Sequence, residues 1–453
     1  MKKFTFVIFS SLFTIVGQTI TAYAQQNTNL SILSDNVHYN DKIAHLVIPE
    51  GVEVIKDGEF ENNTNIISVT IPESVVIIGD RAFKGCKNII DVKIGSNVKI
   101  IGDYAFLDCE SMSADIKLNS VVKIGREVFR GCHSLTSVTF GEGIKSIPST
   151  TFYNCRSLTR VLIPNSVTKI ENEAFGKCTS LTNINIPEGV TSIGNWSFCG
   201  CTSLTNILIP SSVTSIGKEA FCGCTSLINI LIPSSVTSIG EEAFGDCTSL
   251  VNITIPESVV EIGGQAFRGC RGELVINSKF IENDLRDSYF RDKSWLYGSK
   301  FTKLIIGSQV AKIGPYAFAG CSRLTSVIIP NNITYVGRHA FFCCDRLESV
   351  TIPNSITFIG EYAFAFCKSL QQVVIGEGVE FLDNYILDGC SSLTSIYCMS
   401  KESPNFGRET ALSLPLSTNN ADFRIYVPME SVKMYKKSIV WKKYSKYVIG
   451  YNF

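Results

Sequence analysis

Seventeen cysteines and four histidines are the residues of this 453-residue chain best suited to chemistry, and their spacing decides which chemistry is open to them. Cys199-Gly200-Cys201 and Cys222-Gly223-Cys224 form two C-x-C pairs one repeat apart. A structural zinc site needs four convergent ligands, but pairs separated by one repeat look like duplication, so no metal is expected. Most other cysteines recur every 23 residues, as Cys86, Cys109, Cys132, Cys155, Cys178 and Cys201 do. At a strand spacing of ~4.8 Å, neighbouring Cα atoms would fall within disulfide range. Side chains in such a ladder point in parallel toward the core, however, and a free thiol packs as a small apolar group. Buried thiols are the expectation, and Cys343-Cys344 reads as one ladder position beside one loop position. His38, His45, His133 and His339 fall in distant parts of the chain, so a nucleophile, base and orienting acid are not expected to meet. With no P-loop, no H-E-x-x-H and no dinucleotide fingerprint, neither catalysis nor a cofactor is expected.

The elements that would position these residues repeat too. CTSLTNILIPSSVTSIGKEAFCG, from Cys201 to Gly223, is followed by a near copy starting at Cys224. A 23-residue period belongs to a solenoid, in which each copy is one coil stacked on the last. Counting from the cysteine as zero, large apolar residues fall at +3, +6, +8, +12, +15 and +20, which here are Leu204, Ile207, Ile209, Val213, Ile216 and Phe221. Alternation at +6 and +8 predicts a short strand with one buried face. Proline at +9 in nine coils, with glycine in four more, ends it. Ten coils carry glycine at +16, as in Gly194, Gly217, Gly240 and Gly263, where a tight backbone turn is expected.

Formal charges balance at 41 basic and 41 acidic residues, which argues against a nucleic-acid partner. Lys2 and Lys3, the apolar run 4–16 and Ala22-Tyr23-Ala24 predict a secretory signal peptide over 1–24, with a polar leader over 25–39. The first cysteine is Cys86, so no lipid-modified cysteine is expected, and no transmembrane segment is expected in the mature chain. Coils then run over 40–398. The Cys109 coil is irregular, with Asp115 at an apolar position and Ile116 and Leu118 shifted by one, which predicts a local bulge. The step from Cys270 to Gly298 takes 28 residues, with Leu274 and Ile276 as its strand and Trp295 in the phenylalanine column. Its extra loop carries Glu282, Asp284, Arg286, Asp287, Tyr289, Arg291 and Asp292, and a solvated, self-paired loop is the expectation. Over 399–453 a C-terminal cap is expected, with a strand over 423–427 and a helix over 430–444 after Pro428. Val432, Tyr435, Val440, Trp441 and Tyr444 would face inward, and Lys433, Lys436, Lys437, Lys442 and Lys443 outward.

These motifs resemble the BspA-type leucine-rich repeat, also called the Treponema pallidum type, over about residues 40–398. The tail IYVPMESVKMYKKSIVWKKYSKYVIGYNF resembles the C-terminal segment of exported Bacteroidetes members. The resemblance implies a repeat solenoid, a leucine-rich repeat right-handed superhelix with a parallel β-sheet on its concave side, capped here by a small α+β segment. It also implies an exported, often cell-surface, protein of adhesion, and it brings no catalytic motif.

The outward strand positions are where recognition is expected. The +5 column places Asn183, Asn206, Asn229 and Asn252 in one row, and the +7 column sets Asn185, Leu208, Leu231 and Thr254 beside them. Stacked amides can hydrogen-bond to one another or to a ligand, and around exposed leucines they match the apolar centre and polar rim of a protein interface. The reading is an exported protein, at the cell surface, secreted or held in the periplasm, that binds an extracellular protein or glycan, a host matrix protein among the candidates. The alternative is a structural spacer, and an enzyme centred on 271–297 ranks third.

Overall fold

A computed structural model describes residues 45–278, 294–406, 422–439 and 441–453. The signal peptide, leader and charged insert residues expected from the sequence lie outside that set. The chain divides into two compact units, Met1–Gly189 and Val190–Phe453.

Each unit is a stack of coils joined by parallel strands. In the first, His45–Val47, Ser68–Ile71 and Asp91–Ile94 pair so that His45, Ser68 and Asp91 stand side by side. Asp115–Leu118, Ser137–Phe140 and Arg160–Leu162 form a second run. The two runs are separate because Asp115 faces Ser137, only 22 residues on, instead of keeping the 23-residue step. One extra residue before the strand and one fewer after it shift the Cys109 coil, which is the irregularity the sequence predicted. In the second unit, Val251–Ile255, Arg271–Ile276, Lys300–Ile306 and Ser326–Ile328 pair in series, so the sheet continues across the long step. Trp295 is buried there, edge-on to Phe267 at 6.1 Å and Phe318 at 6.4 Å, and keeps the column filled.

A second ladder was not foreseen. Two-residue strands at +14 and +15 pair from coil to coil, as Val54–Ile55, Ile77–Ile78, Ile100–Ile101 and Lys123–Ile124 do in the first unit. Ser192–Ile193, Ser215–Ile216, Ser238–Ile239 and Glu261–Ile262 do so in the second. A third set of backbone bonds holds the outer turns. Glu219, Phe221 and Gly223 N–H groups donate to the carbonyls of Glu241, Ala243 and Gly245 one coil on, each at 2.8 Å. This geometry needs two left-handed residues per coil, at +18 and +22. Arg81, Tyr104, Trp196 and Glu219 take +18 with φ of 50–60°, and Gly85, Gly131, Gly200 and Gly223 take +22 with φ of 71–73°.

The +16 glycines are therefore present for another reason than the turn expected of them. Gly217, Gly240 and Gly263 lie outside the left-handed region, but a Cβ on Gly240 would sit 2.4 Å from the Lys218 nitrogen, and one on Gly263 2.3 Å from that of Glu241. Close approach of successive coils is the constraint. Where coils approach so closely, rings stack as well. Phe60, Phe83, Phe106, Phe129, Phe152 and Phe175 stack at 5.1–5.8 Å in the first unit. Phe198, Phe221, Phe244 and Phe267 stack at 5.4–5.5 Å in the second.

Carboxylates are stacked too. The Asp80 and Asp103 N–H groups donate to Oδ1 of Asp57 and Asp80 respectively, both at 2.8 Å. Burial, reinforced by the Asp57 and Asp103 charges, raises the Asp80 carboxyl above its ordinary value despite the bond it accepts from Asp103. A carboxyl raised in the native state binds more protons folded than unfolded. Its contribution to stability therefore falls as pH rises through the folded value and returns as pH falls toward the ordinary carboxylate value.

At the C-terminal end, Arg424–Pro428 and Val448–Tyr451 add two strands to the sheet formed by Ser349–Ile352, Gln372–Ile375 and Ser395–Cys398. The expected helix over 430–444 is divided into a 3-10 turn Met429–Ser431, an α-helix Val432–Lys437 and a 3-10 segment Trp441–Tyr447. Ser438 causes the break: its ψ of 136° leaves the helical region, and its N–H closes the helix on Met434 and Tyr435 carbonyls. Tyr435, Trp441 and Tyr444 are buried, Val432 is half-buried and the five named lysines are exposed, while Val440 lies outside the described residues. Tyr435 Oη donates to the Ser400 carbonyl at 2.9 Å, fixing the helix to the last coil.

Two predictions follow from the stacking. Gly240→Ala is expected to cost about 1–3 kcal/mol or more through the backbone clash. Gly223→Ala, with φ +71° and nothing nearer than 3.8 Å, should cost only about 1–2 kcal/mol for its left-handed backbone. Equal losses in urea denaturation would remove close approach as the reason for the +16 glycines. Asp80→Asn keeps the acceptor, as Asn195 does for the Lys218 N–H at 2.8 Å, and removes the charge. Its thermal midpoint should exceed the parent's at pH 7 and converge with it near pH ~4; a pH-independent difference would contradict the assignment.

Candidate functional site

The outward strand face begins as a product of alternation. In Asn206–Leu208 and Asn229–Leu231 the middle residue turns to the core and the flanking pair turns out. The parallel register sets Asn206 beside Asn229 and Leu208 beside Leu231. Leu208 is 60% exposed and Leu231 66%, so two large apolar side chains share a surface with two amides, and Ile228, the residue before the second strand, is 46% exposed. Asn206 Nδ2 lies 3.5 Å from Thr205 Oγ1, within its own coil.

The row of four asparagines is not continuous. Asn252 is left-handed, with φ 59°, at a register shift between Val251 and Ile253, and its Oδ1 accepts the Glu273 N–H at 3.2 Å. A side chain committed to the next coil's backbone leaves the row, whereas Thr254 stays in register opposite Val275 and is exposed. Asn183 and Asn185 are exposed in the first unit, where the outward strand position of the coil has only an isolated bridge at Asn185. The patch therefore centres on Asn206, Leu208, Asn229 and Leu231. Farther along the face, Lys303 and Glu273 pair at 2.6 Å, and the neutral surface gives way to charge.

The described histidines are held apart. His45 Nδ1 bonds Ser68 Oγ at 2.7 Å, His133 Nε2 bonds Asn154 Nδ2 at 3.0 Å, and His339 is stacked on Tyr316 and Tyr362. A cavity of about 190 Å³ lies beside the shifted Cys109 coil, lined in part by Glu73, Ser96, Lys117 and Asn119. Four of its lining residues, Lys117 to Ser120, belong to the shifted coil, and the sequence offered only that shift as a signal.

Cysteines divide into two populations, and no disulfide joins any of them among the described residues. Fourteen are buried, and Cys199, Cys222 and Cys343 are half-buried. In the zero column the thiol is more than a packing group. Cys86, Cys132, Cys224 and Cys390 donate to the phenylalanine carbonyls of Phe60, Phe106, Phe198 and Phe364 at 2.9–3.2 Å, each 26 residues back. Burial raises the Cys86 and Cys321 thiols to about 12, so both are neutral at physiological pH. Cys201 and Cys224 belong to this buried column while Cys199 and Cys222 lie on the outer turn, so the two C-x-C pairs do not form one four-sulfur site.

Comparison with known proteins agrees with this architecture. The description "BspA type Leucine rich repeat region (6 copies)" matches residues 31–159, 145–274 and 289–408, well over half of the sequence. The chain belongs to the BspA-type leucine-rich repeat family. A leucine-rich repeat protein from Bacteroides ovatus is 26% identical, with 80% of this chain and 91% of that one covered and a TM-score of 0.61. A leucine rich cell surface protein from Faecalibacterium prausnitzii is 26% identical, covering 84% and 91%, with a TM-score of 0.40. The leucine rich repeat protein of T. pallidum is 29% identical, covering 36% and 79%, with a TM-score of 0.35. No curated protein matches. No helix among the described residues is long and apolar enough to cross a membrane.

Thiol labelling tests the two populations. In the native, reduced protein, iodoacetamide should modify only Cys199, Cys222 and Cys343, Cys222 slowly because its bond with Cys199 and its burial favour the neutral thiol, and the other fourteen should react only after unfolding. Native modification of any zero-column cysteine, read by peptide mass, would contradict the buried thiol column.

Proposed function

We propose that this is an exported surface protein that binds an extracellular protein or glycan through its strand face, with no reaction catalysed there. The observation that carries this reading is the pair Leu208 and Leu231, 60% and 66% exposed, held side by side by strand pairing and bordered by Asn206 and Asn229. Isolated exposed leucines are ordinary on a protein surface; adjacent ones on a rigid sheet, with amides able to satisfy a partner's polar groups, form a preorganised contact. Export is supported by the basic, apolar and small-residue sequence of 1–24.

The test is a binding screen of the chain from Gln25 against extracellular-matrix proteins and glycans, with Leu208→Asp/Leu231→Asp as the variant. Because both side chains already face solvent, the variant should keep the parent's circular dichroism and thermal midpoint. It should lose about tenfold or more in affinity. Unchanged affinity in the folded variant would move the site away from this face, and absence of any ligand would favour the spacer reading.

A further inference from the structure

The outer turns follow a contact rule that none of the preceding features uses. The residue at +21 meets the residue at +18 of its own coil: Arg130 pairs with Glu127 at 2.6 Å, and Arg268 bonds Gln265 at 3.3 Å. It also reaches +18 of the coil before, as Arg268 pairs with Glu242 at 2.9 Å. Cys222 occupies +21, Glu219 is the +18 residue of the same coil, and Cys199 is the +21 residue of the preceding one. Stacking in register brings the two sulfurs together, and the left-handed turn at Glu219, φ 50°, brings its carboxylate to them. The Cys199 and Cys222 Sγ atoms and a Glu219 carboxylate oxygen all lie within 4.8 Å of one another. Among the described residues this is the one group of three or more possible ligands so placed.

We propose that Cys199, Cys222 and Glu219 form a binding site for a thiophilic divalent cation, with Zn²⁺ the biological candidate and a fourth position left to water. Two soft thiolates and a harder carboxylate are a mixed donor set of the kind borderline zinc takes. In a tetrahedral complex, ligand atoms stand about 3.3–3.8 Å apart, so side-chain rotations on the order of 1 Å close the site. All three residues are half-buried, which leaves a route for the ion and shields the donors in part. The buried column cannot serve this way, because its thiols are enclosed and bonded to phenylalanine carbonyls.

The groups of negative sign facing the site are Glu219 and Glu242. Facing residues include cations as well: Arg268 is bound to Glu242 and Asp246, and Lys218 to Glu241. A divalent cation reverses this electrostatic balance and takes both thiols as thiolates, releasing two protons, so affinity should rise with pH.

The experiment is a Cd²⁺ titration of the reduced full chain, followed by sulfur-to-metal charge-transfer absorbance, with Zn²⁺ binding measured by equilibrium dialysis. One equivalent is expected in the parent. It should be lost in Cys199→Ser/Cys222→Ser, weakened about tenfold or more in Glu219→Gln, and kept in Cys343→Ser. Zn²⁺ should also protect Cys199 and Cys222 of the unaltered chain from iodoacetamide, a readout that depends on no variant. Full stoichiometry in a natively folded double variant, no binding by the parent, or no protection by Zn²⁺ would each overturn the site.

Discussion

Successive coils of this protein approach so closely that a single Cβ will not fit between Gly240 and the Lys218 nitrogen of the coil before it. That approach is imposed by backbone hydrogen bonding at three places that recur along the stack: the outward-facing strands, the short strands at +14 and +15, and the outer turns. Every bond joins a residue to its counterpart about one repeat away, so each side chain is set beside the residue that occupies its own column. The phenylalanine stacks, the thiol column and the glycines at +16 are consequences of this one constraint. The two left-handed residues per coil are what the outer turn needs in order to present alternate N–H groups to the next coil.

Stacking like on like has opposite effects on different chemistries. Apolar rings and small thiols gain from it, because each covers the exposed edge of the one before. Carboxylates do not: Asp57, Asp80 and Asp103 supply the acceptors the turn requires, but burial, reinforced by the neighbouring charges, raises the Asp80 carboxyl. Asn195 supplies the same acceptor without the charge. Cys199 and Cys222 are brought together by the same rule, on the outside of the coil where an ion can reach them.

The recognition surface depends on where the register holds. It holds between Asn206–Leu208 and Asn229–Leu231, and two leucines and two asparagines become one surface. At Asn252 it fails through a left-handed residue whose amide turns to the Glu273 backbone, and the row ends. The face is thus a sequence of short, chemically distinct patches within each unit, and the one around Leu208 and Leu231 sets two exposed leucines side by side.

The sequence by itself determined the period, the inward columns, the strand position and the burial of the cysteine column, because each repeats at a spacing that survives substitution. It also located the irregular Cys109 coil and placed Trp295 in the phenylalanine column. Tertiary structure alone decided the remainder. The +16 glycines looked like turn residues, and only the distance between coils shows that they are spacers. The left-handed +18 positions are held by residues as unlike as Arg81, Tyr104 and Glu219, so no residue type announces them, whereas glycine marks many of those at +22. Asn252 is indistinguishable in sequence from Asn206, since a bulge is a property of pairing between coils. The meeting of Cys199, Cys222 and Glu219 likewise belongs to no single coil: the period puts two sulfurs in one column, but the turn geometry brings the carboxylate to them.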